Sequence, residues 1–282
     1  MNVTNILNEI EKIDPEVYGR FNSRRKVMKS FANISGKLAL TAVPLAFGSM
    51  FQKAYAQSPG VADIVGVLNF ALTLEYLEYN FYIKAVASGI VPAGGALNAL
   101  TLIRDHEAAH VNFLKTAITA SGGTPVSFTA ASFDFTAKGT FPTVFSDYAV
   151  LLAVAQTFED TGVRAYKGQA GNLMSNNDVL TAALNIHSVE ARHAAHIRSM
   201  RKANGGLVPA GVDVKPWITG NQSGIGTTAV QASYNGEELT TQAGVNIVNI
   251  NGQIISANAA SECFDEPLDK ESILAIVTPF LA

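Results

Sequence analysis

Cysteine is almost absent from this 282-residue chain, in which Cys263 is the only one. A single cysteine cannot form a disulfide within the chain, and it cannot build a thiolate metal site. Any bound metal must therefore be held by oxygen and nitrogen ligands. Charged residues are also sparse, at 15% of the chain with a net charge of -3. The body of the chain has no long basic block, so it lacks the usual footprint of a nucleic-acid-binding protein.

Histidine is scarce as well, and its placement is informative. The chain has five histidines, all in two short segments that each contain Glu-x-x-His. RDHEAAH includes Glu107 and His110, and HSVEARHAAH includes Glu190 and His193. On a helix, the two side chains of this motif project from one face, one turn apart, so that one metal ion can reach both.

Two further glutamates precede these motifs at matched distances. The separation along the chain from Glu75 to Glu107 is almost the same as that from Glu159 to Glu190. Half of that separation is about 16 residues, or roughly 24 Å of helix. A helix and its returning neighbour would therefore place each glutamate pair at similar depth. Two such hairpins stacked together predict a two-metal site in a four-helix bundle, with six ligands: Glu75, Glu107, His110, Glu159, Glu190 and His193.

The four glutamates fall on apolar helix faces. The neighbours of Glu107 at i±4 and i±7, which share its face, are Leu100, Ile103, Val111 and Leu114. The other three glutamates have similar surroundings. Residues 57–204 contain only five glutamates, and four of them belong to this set. Buried unpaired carboxylates are costly and would not all ionise without compensating positive charge, which two divalent metal ions would supply.

The helix signals predict an all-α fold, a ferritin-like four-helix bundle. Cap residues and glycines place the helices at about 61–88, 96–120, 146–171 and 179–204, with Ser146 as the expected N-cap of the third. The phenylalanine-rich stretch between Gly123 and Ser146 is too long for a tight turn. It predicts one long crossover between the second and third helices, with its phenylalanines covering the flank of the bundle.

The part of the chain after the predicted bundle is a C-terminal extension rich in Gly, Asn, Thr and Pro. Asn251-Gly252 lies between two apolar runs, which predicts a two-residue β-hairpin turn. A short helix is predicted from about Asp269 to Val277, ended by Pro279. We expect this extension to pack on the bundle or to form a contact in a homo-oligomer. The predicted division is therefore 1–56, 57–204 and 205–282.

The N-terminal segment, 1–56, resembles a twin-arginine export signal. Arg24-Arg25 is followed by an apolar run over residues 34–50 and then by Ala54-Tyr55-Ala56, a small-x-small cleavage site. The apolar run is short for a membrane span, and it contains Lys37 and Pro44. We therefore expect cleavage after Ala56, the alternative being an uncleaved anchor. The mature protein would be periplasmic or extracellular, without stable insertion in the membrane.

The segments LNFALTLEYLEYNFY, HEAAHVNFL, QTFEDTGVRAY and SVEARHAAHI are similar to the ferritin-like di-metal carboxylate proteins. That group includes ferritins, bacterioferritins, rubrerythrins and manganese catalases. With the tail segment CFDEPLDKESILAIVTPF, the chain most resembles the exported ferritin-like domain family, which also contains desiccation-related proteins. The resemblance implies that Glu107 and Glu190 bridge two metals. It also implies one terminal pair for each metal: Glu75 with His110, and Glu159 with His193.

Several neighbours of these residues are candidates for supporting the ligands. Tyr82 and Tyr166 follow Glu75 and Glu159 by two helical turns, so each could hydrogen-bond a ligand, shuttle electrons or simply fill the core. His106 is another candidate for supporting a ligand, and Glu78 is either an extra ligand or a solvent-side acid. The remaining polar groups are expected mainly as surface or structural residues: Asp160, Arg104, His187 and His196.

Together these features predict an exported protein with two divalent metal ions, iron or alternatively manganese. Carboxylate-rich ligands suit both metals. The expected activity is the reaction of ferrous iron with dioxygen or peroxide, as a ferroxidase or a detoxifying protein. Two alternatives remain open. One is a dimanganese catalase, and the other is a stress or desiccation protein whose metal only stabilises the fold.

Overall fold

Four long helices dominate the part of the chain described by the computed structural model, residues 61–242 and 244–282. They are α1 (Val61–Ala87), α2 (Gly95–Ala120), α3 (Tyr148–Ala170) and α4 (Asn177–Asn204). α1 packs against α2, α3 packs against α4, and α1 also contacts α3. The predicted fold class, a four-helix bundle with one long crossover between α2 and α3, is confirmed. The predicted export signal lies outside the described residues.

Burial follows the helical pattern of the sequence. On α2 the buried residues recur every three or four positions, as on a helix with one face toward the core. α3 differs, because every residue from Leu151 to Tyr166 is buried. The reason is that α3 has the bundle on one side and the C-terminal extension on the other. None of the described helices is both long enough and apolar enough to cross a membrane.

The start of α3 corrects one expectation. The N-cap is Asp147, not Ser146, and its side chain accepts hydrogen bonds from the backbone N–H groups of Ala149 at 2.8 Å and Val150 at 3.4 Å. Ser146 instead belongs to the preceding turn, where its N–H donates to the carbonyl of Thr143 at 2.9 Å. Both residue types make good caps, so the sequence alone did not distinguish the two adjacent positions.

This difference gives a simple test of the helix start. Asp147→Ala should lower the free energy of unfolding by about 1 kcal/mol, because two backbone N–H groups lose their acceptor. Ser146→Ala, at the adjacent and likewise exposed position, should change it by less than about 0.5 kcal/mol. Urea denaturation of both variants measures the two values. Equal losses, or a larger loss for Ser146→Ala, would show that α3 starts elsewhere.

The crossover packs its phenylalanines on the bundle. Phe81 of α1 lies edge-on to Phe135 of the crossover, with ring centroids 5.6 Å apart, and Phe135 is 2% exposed. Phe141 stacks on Phe280 near the C-terminus at 6.3 Å. The backbone N–H of Asp134 donates to the carbonyl of Phe280 at 2.8 Å. The crossover is therefore held between the bundle and the end of the chain.

The C-terminal extension is built from short elements. Two small hairpins pair β1 (Thr241–Gln242) with β2 (Val245–Asn246), and β3 (Asn249–Ile250) with β4 (Gln253–Ile254). They are followed by α5 (Ala257–Ser261) and α6 (Lys270–Val277). The predicted turn at Asn251-Gly252 joins β3 to β4, and both residues have the positive φ of a type I′ turn, 52° and 78°. β1, β2 and α5 were not predicted.

A buried arginine fastens this extension to α3. Arg164 forms a 2.7 Å ion pair with Glu237, and both side chains are almost fully buried. Its guanidinium also donates to backbone carbonyls at 2.8–3.0 Å, those of Glu266, Ser233 and Asn235. A buried charge is tolerable only when it is paired and hydrogen-bonded in this way. The inward side of α3 is thereby left for the centre of the bundle.

Candidate metal centre

The six residues that the sequence predicts as metal ligands lie together inside the bundle. α1 and α3 each contribute one glutamate, while α2 and α4 each contribute one Glu-x-x-His pair. The four glutamates are 0% exposed, and the two histidines are also buried. The matched spacing in sequence therefore corresponds to one level in the bundle.

These side chains form two overlapping clusters. In each, one ligand atom per residue lies within 4.8 Å of all the others. The first cluster is Glu75, Glu107, His110 and Glu190. The second is Glu107, Glu159, Glu190 and His193. Glu107 and Glu190 belong to both, which is the position of bridging carboxylates between two ions, and each cluster has one further glutamate and one histidine.

The histidine nitrogens point into the clusters. His110 Nδ1 lies 3.1 Å from a Glu75 oxygen, 3.0 Å from Glu107 and 3.2 Å from Glu190. His193 Nδ1 lies 2.9 Å from a Glu107 oxygen. One N–H donates one good hydrogen bond, so it cannot satisfy several carboxylate oxygens at once. His110 Nδ1 thus has more carboxylate oxygens around it than one N–H can serve.

Buried polar atoms without a hydrogen-bond partner indicate that a metal would fit this site. Glu107 Oε1, Glu159 Oε2, both Glu190 oxygens and His193 Nδ1 are buried and lack a well-aligned hydrogen bond. Such orphaned acceptors cost free energy unless something binds them. Four carboxylates carry four negative charges when ionised, which two divalent cations would balance. The donor set of oxygens with one imidazole per cluster fits iron or manganese.

The pKa values of the site residues also indicate that the crowded carboxylates need compensating positive charge. Burial and the neighbouring carboxylates, Glu107 first, raise the pKa of Glu190 well above its usual range. Burial raises the pKa of Glu107 to about 7, against opposing contacts with the two histidines. Burial disfavours protonated His193, but Glu159 and Glu107 outweigh it and raise its pKa to about 11. Protons thus offset the crowded carboxylates, and a bound cation would replace them.

A comparison with protein families matches residues 63–203, half of the chain, to the ferritin-like domain. The chain belongs to the ferritin-like domain family. The match covers nearly all of the four bundle helices and both clusters. A comparison with curated proteins gave no match. Family membership establishes the fold of the bundle, while the ligands and the reaction have to be argued from the residues of this chain.

Two tyrosines brace the ferritin-like centre symmetrically. Tyr82 on α1 donates a hydrogen bond to Glu159 Oε1 on α3, and Tyr166 on α3 donates one to Glu75 Oε1 on α1. Burial and the contacted glutamates raise the pKa of both hydroxyls well above the usual range, so they keep their protons and act as donors. Each helix thus orients the glutamate of the other.

Removing one tyrosine hydroxyl should weaken the binding of one metal ion more than that of the other. Tyr166→Phe should lower the affinity of the cluster containing Glu75 by roughly 10-fold, because that carboxylate loses the bond that orients it. Tyr82→Phe should do the same for the cluster containing Glu159. Anaerobic titration against a chelator measures both steps, and Tyr79→Phe is the control because its hydroxyl makes no bond to the centre. Unchanged affinities in both variants would mean that these tyrosines only fill the core.

The space that Gly162 leaves beside Glu78 is a feature that the sequence did not reveal. Glu78 is 3% exposed, so the expectation of a solvent-side acid was wrong. A Cβ added at Gly162 of α3 would lie 3.1 Å from Glu78 Oε1 and 3.5 Å from Glu190 Oε2. Burial and the four ligand glutamates, Glu190 first, raise the pKa of Glu78 well above its usual range. The glycine leaves room for a fifth carboxyl group beside the centre.

His106 lies outside the clusters and contacts one ligand. Its Nδ1 is 2.9 Å from His193 Nε2, and the two rings stack with centroids 5.2 Å apart. Burial and the charge of His193 lower the pKa of His106, so a neutral His106 can accept the Nε2–H of His193. This contact fixes the orientation of His193 with its Nδ1 toward the carboxylates.

The other polar residues lie away from the ligands. Asp160 is not a solvated surface charge, because it is 4% exposed and pairs with Arg198 at 2.5 Å. Arg104 does lie toward the surface, where it pairs with Asp105 at 2.7 Å. His187 Nδ1 donates to a backbone carbonyl on α3 at 3.0 Å, and His196 is exposed. The Asp160 pair joins α3 to α4 and is covered by Tyr234 of the extension, and the periodicity of one helix does not predict such contacts.

Proposed function

We propose that this protein is an exported di-iron protein that removes peroxide or dioxygen by oxidising ferrous iron. The observation that supports the proposal is the pair of clusters that share Glu107 and Glu190 and leave four carboxylate oxygens unsatisfied. Oxygen-rich ligands with one imidazole per ion stabilise the oxidised states of iron and manganese. The resemblance to exported ferritin-like and desiccation-related proteins agrees with a role in oxidative stress.

Six residues of the chain would hold the two ions. Glu75 with His110 would hold one iron, Glu159 with His193 would hold the other, and both bridging glutamates would hold the pair. When bound, two ferrous ions supply the two electrons that, with two protons, reduce one hydrogen peroxide molecule to two water molecules.

Access differs between the two sides of the centre. The side with Tyr82 and Tyr166 is closed, since these rings are 0% and 7% exposed. On the other side α2 and α4 enclose an open groove whose lining includes His110 and His193. Peroxide and dioxygen are small and neutral, so they can approach through this opening without the desolvation cost of an ion.

A single-turnover experiment tests the reaction. Protein loaded anaerobically with two ferrous ions per chain is mixed with increasing hydrogen peroxide, and the ferric iron formed is measured by absorbance. We expect two irons oxidised per peroxide consumed, and none bound or oxidised at the centre in a Glu107→Ala/Glu190→Ala variant. The same titration with dioxygen identifies the preferred oxidant.

The rival functions give different outcomes. Manganese-loaded protein that converts many equivalents of peroxide to dioxygen and water would identify a catalase instead. Tightly held metal with no oxidation by either oxidant would identify a structural role. Iron oxidation that is unchanged in the Glu107→Ala/Glu190→Ala variant would mean that it occurs away from this centre.

Export is a separate part of the proposal, and it rests on the Arg24-Arg25 sequence. A full-length chain carrying Arg24→Lys and Arg25→Lys keeps the positive charge but changes the arginine pair. We expect the unmodified chain in the extracytoplasmic fraction, shortened to a start near Gln57, and the variant retained at full length in the cytoplasm. Equal distribution of both chains would contradict twin-arginine export.

A further inference from the structure

The groove between α2 and α4 is large enough to bind an organic molecule. Its volume is about 690 Å³, within the range of roughly 300–1,000 Å³ typical of small-molecule sites. Its walls are mainly apolar and include Leu102, Ile103 and Val189, while His110 and His193 lie among its lining. Peroxide or dioxygen alone would not need a groove of this size.

Arg192 is the permanently charged residue among those that line the groove. No aspartate or glutamate of the described chain is among the lining residues. Arg192 is exposed, and within residues 61–242 and 244–282 it has no ion-pair partner. This contrasts with Arg104 of α2, which is paired with Asp105. An anion in the groove would therefore find an available guanidinium.

An apolar wall continues beside this charge. Leu102 is 56% exposed on the groove wall, which is a high value for a large aliphatic side chain. The lining residues of α2 extend from Gly95 to His110, and a helix of that length spans roughly 22 Å. The groove therefore offers a long apolar surface and a single fixed positive charge.

We propose that this groove binds a free amphipathic monocarboxylate. Its apolar chain would lie against Leu102 and Val189, and its carboxylate would pair with Arg192, whose planar guanidinium can donate two parallel hydrogen bonds. This site is additional to the di-metal centre and does not depend on which reaction occurs there. The occupant is a dissolved molecule, because the groove is recessed between two helices instead of forming a flat charged face.

Calorimetric titration of the full-length, metal-loaded protein tests the site with three probes of equal chain length: octanoate, octanamide and octylamine. Octanoate should bind at least about 10-fold more tightly than octanamide, which corresponds to about 1.4 kcal/mol for the carboxylate–guanidinium pair. Octylamine should bind most weakly, since its charge has the same sign as that of Arg192.

Matched variants assign the contacts. Arg192→Gln should make the affinities for octanoate and octanamide equal, and Leu102→Gln should weaken the binding of both by a similar factor. Both side chains are exposed, so neither change should impair folding. Arg104→Gln removes an arginine of α2 that does not line the groove, and it should bind all three probes like the unmodified protein.

Three results would overturn the proposal. The first is equal affinity for octanoate and octanamide in the unmodified protein. The second is octanoate binding that Arg192→Gln leaves intact and Glu107→Ala abolishes, which would make the carboxylate a ligand of the metal centre. The third is binding to anionic lipid vesicles that requires Arg192, without binding of octanoate, which would assign the groove to a membrane surface.

Discussion

Anaerobic loading with ferrous iron should raise the melting temperature of this protein by more than about 10 °C. Each ion present at a thousand times its Kd stabilises the folded state by about 4 kcal/mol. About 1 kcal/mol moves the melting temperature of a domain of this size by roughly 2–4 °C. The effect is large because four buried carboxylate oxygens, in Glu107, Glu159 and Glu190, lack hydrogen-bond partners. Differential scanning calorimetry, before and after removal of iron by a chelator, measures the shift.

The control for this experiment removes the centre and keeps the bundle. Glu190→Gln has nearly the same shape, but it withdraws a carboxylate from both clusters and leaves no charge at that position. Its melting temperature should not respond to iron. A shift of less than about 2 °C in the unmodified protein, which is under about 1 kcal/mol, would contradict metal-linked stability. An equal shift in Glu190→Gln would place the stabilising ions elsewhere.

Arg198→Ala should be the most damaging substitution away from the metal centre. The guanidinium of Arg198 donates to Asp160 at 3.2 and 2.5 Å, and both side chains are buried. Removing one partner of a buried ion pair costs about 3–5 kcal/mol, because the other charge remains in the interior. Tyr234 of the extension also donates to Asp160 at 2.8 Å. Chemical denaturation of the iron-free protein measures the loss.

Two variants test the reason for this loss. Arg104→Ala removes an arginine from an exposed pair with Asp105 and should cost less than about 1 kcal/mol. Asp160→Asn with Arg198→Met removes both charges, and it should recover part of the stability that Arg198→Ala loses. A cost below about 1 kcal/mol for Arg198→Ala, or no recovery in the double variant, would mean that burial of this pair between α3 and α4 does not explain the loss.

The sequence could predict that the six ligands lie at the same position along the bundle axis, because this position depends on local helix geometry. Glu-x-x-His fixes two side chains within one helical turn, and the matched separations in the two hairpins fix the depth of Glu75 and Glu159. The packing of the two hairpins then brings these local features together. The positions of Tyr82 and Tyr166 follow from the same repeat, since each lies two helical turns after a glutamate. Their hydrogen bonds go to the glutamate of the other helix, so they depend on the packing of α1 against α3.

Other features depend on contacts between distant parts of the chain. Glu78 shares a helix face with Glu75, but its burial depends on the space left by Gly162 of α3. Asp160 is buried because Tyr234 and Arg198 meet it from the extension and from α4. The groove beside Arg192 exists because α2 and α4 stand apart, and nothing in the spacing of either helix predicts that gap.

The metal content of the purified protein is the most direct test of the central claim. The protein is expressed with its own signal, purified from the extracytoplasmic fraction and analysed by elemental mass spectrometry together with its concentration. We predict two iron or manganese ions per chain, and none in Glu107→Ala, because that residue belongs to both clusters. An unmodified protein purified without bound transition metal, or a Glu107→Ala variant that still holds two ions, would contradict the di-metal centre.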